Sequence, residues 1–215
     1  MQRSPNTSVT IRIDSTTLHG DLVEPRSDKK GLVIFAHGSG SSRLSPRNRY
    51  VAEVLQDSGF GTLLFDLLTE KEDENYETRF DIDLLTKRLE GTTNWVKQNI
   101  KGRALQMGYF GASTGAAAAL RAAADLGQNE VCAVVSRGGR PDMAGSYLVR
   151  VNVPTLLIVG GDDEEVLELN RSALDLIGSQ KKKLIIVPHA THLFEEPGTL
   201  AQVARHASNW FKEYL

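Results

Sequence analysis

The chain of 215 residues is 40% hydrophobic and 24% charged, and its formal net charge is −2. These values are those of an ordinary globular protein, and we expect one domain over residues 1–215. The near-zero charge argues against general electrostatic binding to nucleic acid or to an anionic membrane, and a single cysteine, Cys132, excludes an intrachain disulfide.

Strand and helix patterns alternate along the first hundred residues. Strands are predicted at residues 9–13, 17–23, 32–36 and 61–65, and helices at residues 46–57 and 81–99. The first two strands are separated by a short polar turn, which predicts an antiparallel hairpin. The next two are continuous apolar runs, which is typical of strands covered on both faces. The acidic segment 67–79 is interpreted as a solvated loop, with a mobile lid as the alternative.

A Gly-x-Ser-x-Gly pentad, residues 111–115, connects an apolar strand at residues 105–110 to an alanine-rich helix at residues 114–126. Its two glycines stand where a Cβ would meet neighbouring backbone. Ser113 is therefore expected on a tight strand-to-helix turn, with its hydroxyl over the positive end of the helix. The alternative for the pentad alone is a glycine-rich turn without chemistry, but an acid and a histidine in later segments favour a nucleophile.

The alternation continues with strands predicted at residues 131–135, 155–159 and 184–187 and helices at residues 166–177 and 199–214. The first of these strands contains Cys132, which we interpret as a small buried hydrophobic residue rather than a second nucleophile. Alternating strands and helices predict a mostly parallel sheet with helices on both faces. Because ligands bind such sheets beyond the carboxyl ends of the strands, the loops that follow those ends should converge.

Two of these loops supply groups that would activate a serine. A serine hydroxyl needs a base within hydrogen-bond distance, and the base needs an orienting acid. His189 and His192 follow the last strand and are the candidates for the base. Asp162, Asp163 and two glutamates follow the preceding strand and offer the acid. The chain order of serine, acid and histidine is that of the α/β hydrolases.

With these residues the sequence resembles the α/β hydrolases, and more narrowly the small, lidless, dienelactone-hydrolase-like branch. The resemblance covers nearly the whole chain and implies an α/β-hydrolase fold with a mostly parallel sheet of about eight strands and no large cap domain. A Gly-x-x-Asp-x-x-Val pattern of the family, aligned on Gly160 and Val166, selects Asp163 as the acid. A histidine followed by an apolar or aromatic pair selects His192. Dienelactone hydrolases themselves use a cysteine nucleophile, so Ser113 favours a general ester or thioester substrate.

Further site residues follow from the fold and the resemblance. Hydrolases of this fold hold an oxyanion with two backbone N–H groups, one of them on the residue after the nucleophile, here Thr114. By resemblance, the other belongs to Ser39 in the His-Gly-Ser-Gly loop after the third strand. Arg43, Arg137 and Arg140 lie on loops expected to rim the pocket and are possible ligands for a substrate carboxylate or phosphate.

These residues predict a serine hydrolase that cleaves an ester or thioester through an acyl-enzyme on Ser113, with Asp163 and His192 completing a triad. Asp162 and His189 remain the alternatives for the acid and the base. The sequence has no His-Glu-x-x-His, Cys-x-x-Cys or Gly-Lys-Ser/Thr motif, so we expect no metal and no cofactor. The expected partner is a small-molecule acyl substrate, with no nucleic acid and no membrane, and the oligomeric state is not predicted.

Two other functions are compatible with this fold. One is a non-catalytic ligand-binding or interaction module, against which the complete set of serine, acid and histidine argues. The other is a nucleotide- or phosphate-binding protein, but the sequence lacks the third glycine of a dinucleotide fingerprint and the lysine of a phosphate loop. The polar first seven residues lack the apolar core of a signal peptide and no apolar stretch could span a bilayer, so we expect a soluble, cytoplasmic protein.

Overall fold

An eight-stranded sheet forms the centre of the computed structural model, which describes residues 4–26, 31–100 and 105–215. The strands are β1 (Asn6–Ile13), β2 (Thr16–Val23), β3 (Gly31–Ala36), β4 (Gly61–Phe65), β5 (Gln106–Ala112), β6 (Ala133–Arg137), β7 (Thr155–Gly160) and β8 (Lys182–Val187). Their spatial order is β1-β2-β4-β3-β5-β6-β7-β8. The pairs β1–β2 and β2–β4 are antiparallel and all the others are parallel. The predicted hairpin and the mostly parallel sheet are therefore confirmed.

The helices that connect the strands are α1 (Pro46–Asp57), α2 (Glu70–Asp73), α3 (Ile82–Asn99), α4 (Thr114–Leu126), α5 (Glu164–Leu176) and α6 (Thr199–Tyr214). Side chains satisfy free N–H groups at the starts of α1 and α3. Ser45 Oγ accepts the N–H of Asn48 at 3.3 Å, and the carboxylate of Asp81 accepts the N–H of Leu84 at 3.0 Å. Pro46, at the first position of α1, supplies the fixed backbone angle that a helix start favours.

The helices form one layer on each face of the sheet. The helices α1 and α6 pack on one face, around a cluster that includes Phe35, Phe110 and Phe211. The helices α3, α4 and α5 cover the other face, and α4 contributes the buried alanines 116–119. Because alanine is small, α4 lies close to the strands beneath it. With both faces covered, the carboxyl ends of the parallel strands present their loops to solvent.

Two strands differ in extent from the prediction. The strand β5 runs to Ala112, two residues further than expected, and so leads directly into the turn with Ser113. The strand β6 begins at Ala133, which leaves Cys132 before the strand. Cys132 is half-exposed, so the prediction that it is a buried residue is wrong. Partial burial raises the pKa of its thiol, which opposes a role as a nucleophile.

Two connections are more ordered than the sequence suggested. In the acidic segment 67–79, Thr69 and Glu72 form a capping box at α2, and Glu72 also pairs with Arg88 of α3 at 2.8 Å. A 3-10 segment, Pro141–Arg150, forms most of the connection between β6 and β7 and was not predicted. Among the helices of the described ranges, none combines the length and the hydropathy that a membrane span requires.

Candidate active site

Ser113 occupies a turn whose backbone angles are unusual for a residue with a side chain. Its φ is 50° and its ψ is −122°. Hydrogen bonds on both sides hold this conformation: the N–H of Ser113 donates to the carbonyl of Arg137 at 3.3 Å, and its own carbonyl accepts the N–H groups of Ala116 and Arg140. Within α4, all of which is described, the Ser113 side chain caps no N–H group. Its hydroxyl is therefore free for other contacts.

Glycines let three backbone segments meet around this turn. A Cβ on Gly115 would lie 2.2 Å from the carbonyl oxygen of Ala36, and a Cβ on Gly111 would lie 2.5 Å from the backbone of α4. On the other side, a Cβ on Gly38 would lie 3.0 Å from the Cβ of Ser113. Since contacts this short exclude larger side chains, the glycines bring the loop after β3 directly against Ser113.

Asp163 and His192 meet across the ends of β7 and β8. The Nδ1 atom of His192 lies 2.7 Å from Oδ2 of Asp163. Asp163 is the N-cap residue of α5, but its carboxylate is turned toward the imidazole and caps no N–H of that described helix. Its place at a helix N-terminus stabilises the negative charge. The bond favours a ring that is protonated on Nδ1, which leaves Nε2 as the nitrogen that can accept a proton.

The alternative acid and base do not take part in this pair. Asp162 and His189 are exposed, and neither side chain has a hydrogen-bond partner within the described ranges. His189 instead has a φ of 59°, so it turns the chain just after β8. Of the four residues considered for the acid and the base, the structure therefore joins Asp163 to His192.

The imidazole lies over the end of β6, next to the turn. Gly138 follows Arg137, whose carbonyl accepts the N–H of Ser113. A Cβ on Gly138 would lie 3.5 Å from both Nδ1 and Cε1 of His192. In the part of the chain that the structure describes, no hydrogen bond joins the Ser113 hydroxyl to the imidazole. Catalytic hydrogen bonds of this kind often tighten only in the substrate complex.

The two residues expected to supply oxyanion donors contact each other. The N–H of Ser39 donates to Oγ1 of Thr114 at 2.9 Å, so this N–H is engaged rather than free. The N–H of Thr114 lies at the first position of α4, where a helix offers no internal acceptor. The hydroxyl of Thr114 thus connects the loop after β3 to the Ser113 turn, a contact that the sequence did not reveal.

A buried histidine ties the same loop to the end of β4. His37 Nδ1 lies 3.0 Å from the carbonyl oxygen of Gly38, and its Nε2 accepts the N–H of Leu67 at 3.0 Å. Both bonds form when the ring is neutral and protonated on Nδ1. Burial lowers the pKa of His37, against the opposing effects of the Gly38 carbonyl and of Asp66, and so keeps it neutral. The sequence alone did not reveal this positioning of His37.

The three arginines expected near the pocket differ in their partners. Arg43 pairs with Asp66 at 2.5 Å and has a second carboxylate at 3.9 Å. Arg140 binds both carboxylate oxygens of Asp142, at 2.9 and 2.7 Å. Arg137 is 6% exposed and has no hydrogen-bond or ion-pair partner among the described residues. The charges of Arg43 and Arg140 are therefore balanced, and that of Arg137 is not.

A cavity of about 590 Å³ opens beside the loop after β3. Its lining includes His19, His37, Arg43, Asp66 and Lys71, so it is polar and suits a small polar group. Within the described ranges, no group of three or more histidine, cysteine or acidic side chains is placed to hold a metal ion.

Comparison with curated proteins gives two relatives from Mycobacterium tuberculosis, both provisionally named phosphoribosyl transferases. They are 59% identical to this chain over 196 residues, or 91% of the chain. The matched part is 44% of their length, so the chain spans less than half of these relatives. No family model matches the chain.

Comparison with solved structures gives matches along the whole chain. A dienelactone hydrolase from Anabaena variabilis has a TM-score of 0.95 and 53% sequence identity, with 100% of both chains covered. Est1E from Butyrivibrio proteoclasticus has a TM-score of 0.79 and 17% identity, covering 96% of this chain and 98% of its own. An α/β serine hydrolase without a lid from Xanthomonas campestris has a TM-score of 0.78 and 21% identity, covering 97% and 94%. At such low identity the last two support the fold alone.

Proposed function

This chain belongs to the α/β-hydrolase family, in its dienelactone-hydrolase-like branch, and on that premise we propose that it is a serine hydrolase. It cleaves an ester or a thioester through an acyl-enzyme on Ser113. The observation that carries this proposal is the 2.7 Å bond between His192 Nδ1 and Asp163 Oδ2, next to the strained turn that presents Ser113. An oriented base near an uncapped serine hydroxyl is the arrangement that nucleophilic catalysis by serine requires.

The reaction proceeds in two halves. Nε2 of His192 takes the proton of the Ser113 hydroxyl as its oxygen attacks the acyl carbon, and then gives that proton to the departing alcohol or thiol. Water next attacks the acyl-enzyme, with the same imidazole as the base, and free acid leaves. Throughout, Asp163 holds the tautomer and stabilises the imidazolium that forms in each half.

Thr114 and Ser39 supply the N–H groups for the oxyanion. The N–H of Ser39 exchanges the Thr114 hydroxyl for the developing negative charge, because a charged acceptor forms the stronger hydrogen bond. The released hydroxyl of Thr114 is then able to donate to the same oxygen. One such donor is typically worth about 10²- to 10³-fold in turnover.

The substrate is a general ester or thioester in this proposal, since Ser113 stands where dienelactone hydrolases have cysteine. The protein acts in the cytoplasm, where its single half-exposed cysteine stays reduced. In this proposal, the phosphoribosyl transfer that the names of the mycobacterial relatives describe is carried out by the portion that this chain does not match, because the present chain resembles a dienelactone hydrolase along its whole length.

A fluorophosphonate probe tests the nucleophile directly. We expect one equivalent to attach to Ser113, as read by peptide mass spectrometry, and none to attach to Ser113→Ala. With a 4-nitrophenyl ester, Ser113→Ala should lower kcat by about 10⁴- to 10⁶-fold.

Ser136→Ala is the matched control. Ser136 is a buried serine at the end of β6, and its hydroxyl has no hydrogen-bond partner among the described residues, so its loss should change neither labelling nor kcat. Labelling of a residue other than Ser113, or a Ser113→Ala protein with normal turnover, would contradict the proposal.

A further inference from the structure

Arg137 is a buried cation without an anion. It ends β6 and is 6% exposed; the five N–H donors of its guanidinium meet no acceptor among the described residues, but its nitrogen atoms reach solvent. Burial lowers the pKa of Arg137 to about 10, and the nearby charge of Arg47 adds to the effect. The side chain is nevertheless charged at neutral pH. A buried charge of this kind is strongly unfavourable unless a partner is present.

The contacts that Arg137 does make do not balance its charge. Its Cζ lies 5.9 Å from the centre of the Phe194 ring, at the outer limit of a cation–π contact. Such a contact stabilises a cation far less than an ion pair with hydrogen bonds does. The arginines Arg43 and Arg140 each pair with a carboxylate, so Arg137 differs from both in lacking an ion-pair partner.

A second guanidinium, that of Arg47, contacts the same loop as Arg137, one residue further along. Arg47, in the first turn of α1, is close enough for its charge to act on Arg137. Its Nη1 lies 3.1 Å from Oε1 of Glu195, and its Nε is buried without a partner. The side chain of Glu195 is 64% exposed and can swing into solvent. Of the two guanidinium groups, only that of Arg47 has a carboxylate partner, and this partner is exposed.

This pair of arginines adjoins the proposed catalytic residues. The carbonyl of Arg137 accepts the N–H of Ser113, so the strand end that bears the cation also holds the turn. Phe194 and Glu195, which the two arginines contact, follow His192 in the same loop. An anionic group between the arginines would thus belong to a molecule whose acyl carbon lies at Ser113.

We propose that Arg137 and Arg47 form a subsite for a phosphoryl group of the substrate, which displaces Glu195 from Arg47 when it binds. Two forked guanidinium groups match the several oxygens and the double charge of a phosphoryl dianion, whereas a carboxylate balances one of the two charges. This inference rests on the proposed hydrolase function, and it names a phosphoryl-bearing ester or thioester as the substrate class.

Binding is tested without catalysis, so that failure of the subsite and failure of the Ser113 proposal can be told apart. Phenylphosphonate is titrated by calorimetry into wild type, Ser113→Ala, Arg137→Met, Arg47→Met and Arg171→Met at fixed salt. We expect wild type and Ser113→Ala to bind alike, and Arg137→Met and Arg47→Met to bind about 10- to 100-fold more weakly, the loss expected for charge-assisted hydrogen bonds. Arg171 is an exposed arginine of α5, and its variant should bind as wild type does.

The unfolding temperature provides an independent readout. Since Arg137 is buried without an anion, Arg137→Met should unfold at a higher temperature than wild type when no phosphonate is present. A structural arginine would give the opposite shift. If the methionine variant does not fold, Arg137→Lys replaces it, and the loss of the fork should weaken phosphonate binding about tenfold.

Kinetics then assign the group to the substrate. Three 4-nitrophenyl esters are compared, with a phosphono, a carboxy or a neutral acyl chain. Arg137→Met should lower kcat/KM at least about tenfold for the phosphono ester and less than about threefold for the neutral ester. Equal losses on all three esters, tighter binding of benzoate than of phenylphosphonate, or unchanged phosphonate binding by Arg137→Met would overturn the proposal.

Discussion

The turn that carries Ser113 and the loop that carries His192 are held in place by different forces. At the turn, Gly111 and Gly115 bring backbone against backbone, and no larger residue fits. The loop is anchored by the buried side chain of Phe194, but its exposed part, which includes the imidazole, depends on side-chain bonds. Glu196 accepts the N–H and the hydroxyl of Thr191 at 3.1 and 2.6 Å, just beside the imidazole. The proposed nucleophile is thus placed by steric exclusion, whereas a few polar contacts orient the proposed base within an otherwise anchored loop.

This difference shows where each half of the site is vulnerable. A substitution at the turn displaces backbone atoms, so it should lower the stability of the whole protein. A substitution of the acid or in the histidine loop removes a hydrogen bond at a partly exposed position, so it should lower turnover and leave the fold intact. Three substitutions separate these two kinds of damage.

The largest expected effect is on turnover and follows from Asp163→Asn. An amide at this position favours the wrong imidazole tautomer, so we expect kcat to fall about 10⁴-fold with little change in the unfolding temperature. The measurement is steady-state hydrolysis of a 4-nitrophenyl ester. Asp162→Asn, at the exposed neighbour without a side-chain bond to the histidine, should remain within about twofold of wild type. Equal losses in the two variants would refute the assignment of the acid.

The next effect is on stability and follows from Gly115→Ala. Helix propensity alone would favour alanine by about 1 kcal/mol, but the new Cβ would lie 2.2 Å from a backbone oxygen at the end of β3. We therefore expect a loss of more than about 4 kcal/mol in the free energy of unfolding, measured by urea titration.

Gly145→Ala is the control for this stability effect. Gly145 has a positive φ of 56°, but a Cβ there meets no atom within 4 Å. The loss of unfolding free energy in Gly145→Ala should therefore be limited to the backbone strain, about 1–3 kcal/mol. If the two variants were equally stable, close approach would not be what fixes the turn.

The smallest effect is expected from Glu196→Ala. Hydrogen bonds from Thr191 lower the pKa of Glu196. At pH values above this lowered pKa the ionised carboxylate supports the loop, and this support is lost as the pH falls through the pKa. Loss of the carboxylate should lower kcat about tenfold, because the imidazole is then less well oriented. The unfolding temperature should change little. Glu196→Gln, which keeps an acceptor oxygen, should retain more activity than the alanine variant, and a fully active alanine variant would show that the loop needs no such support.

The same contrast explains what the sequence could and could not predict. The turn follows from local chemistry, since glycines, one serine and a run of alanines stand in consecutive positions. The choice of Asp163 and His192 required the family resemblance, because four acidic residues and two histidines fit the local pattern equally well. The partners of Arg43 and the bond from Ser39 to Thr114 were not predictable, since each depends on segments that only the fold brings together.

The short connection between β6 and β7 influences what becomes of a bound acyl group. Its 3-10 segment, Pro141–Arg150, packs against α4 and α5. The imidazole above β6 accordingly keeps 37% of its surface in solvent. In the proposed mechanism, bulk water outnumbers every alcohol or amine that could compete for the acyl group. The enzyme should therefore release free acid almost exclusively, and transfer to another organic acceptor should be a minor event.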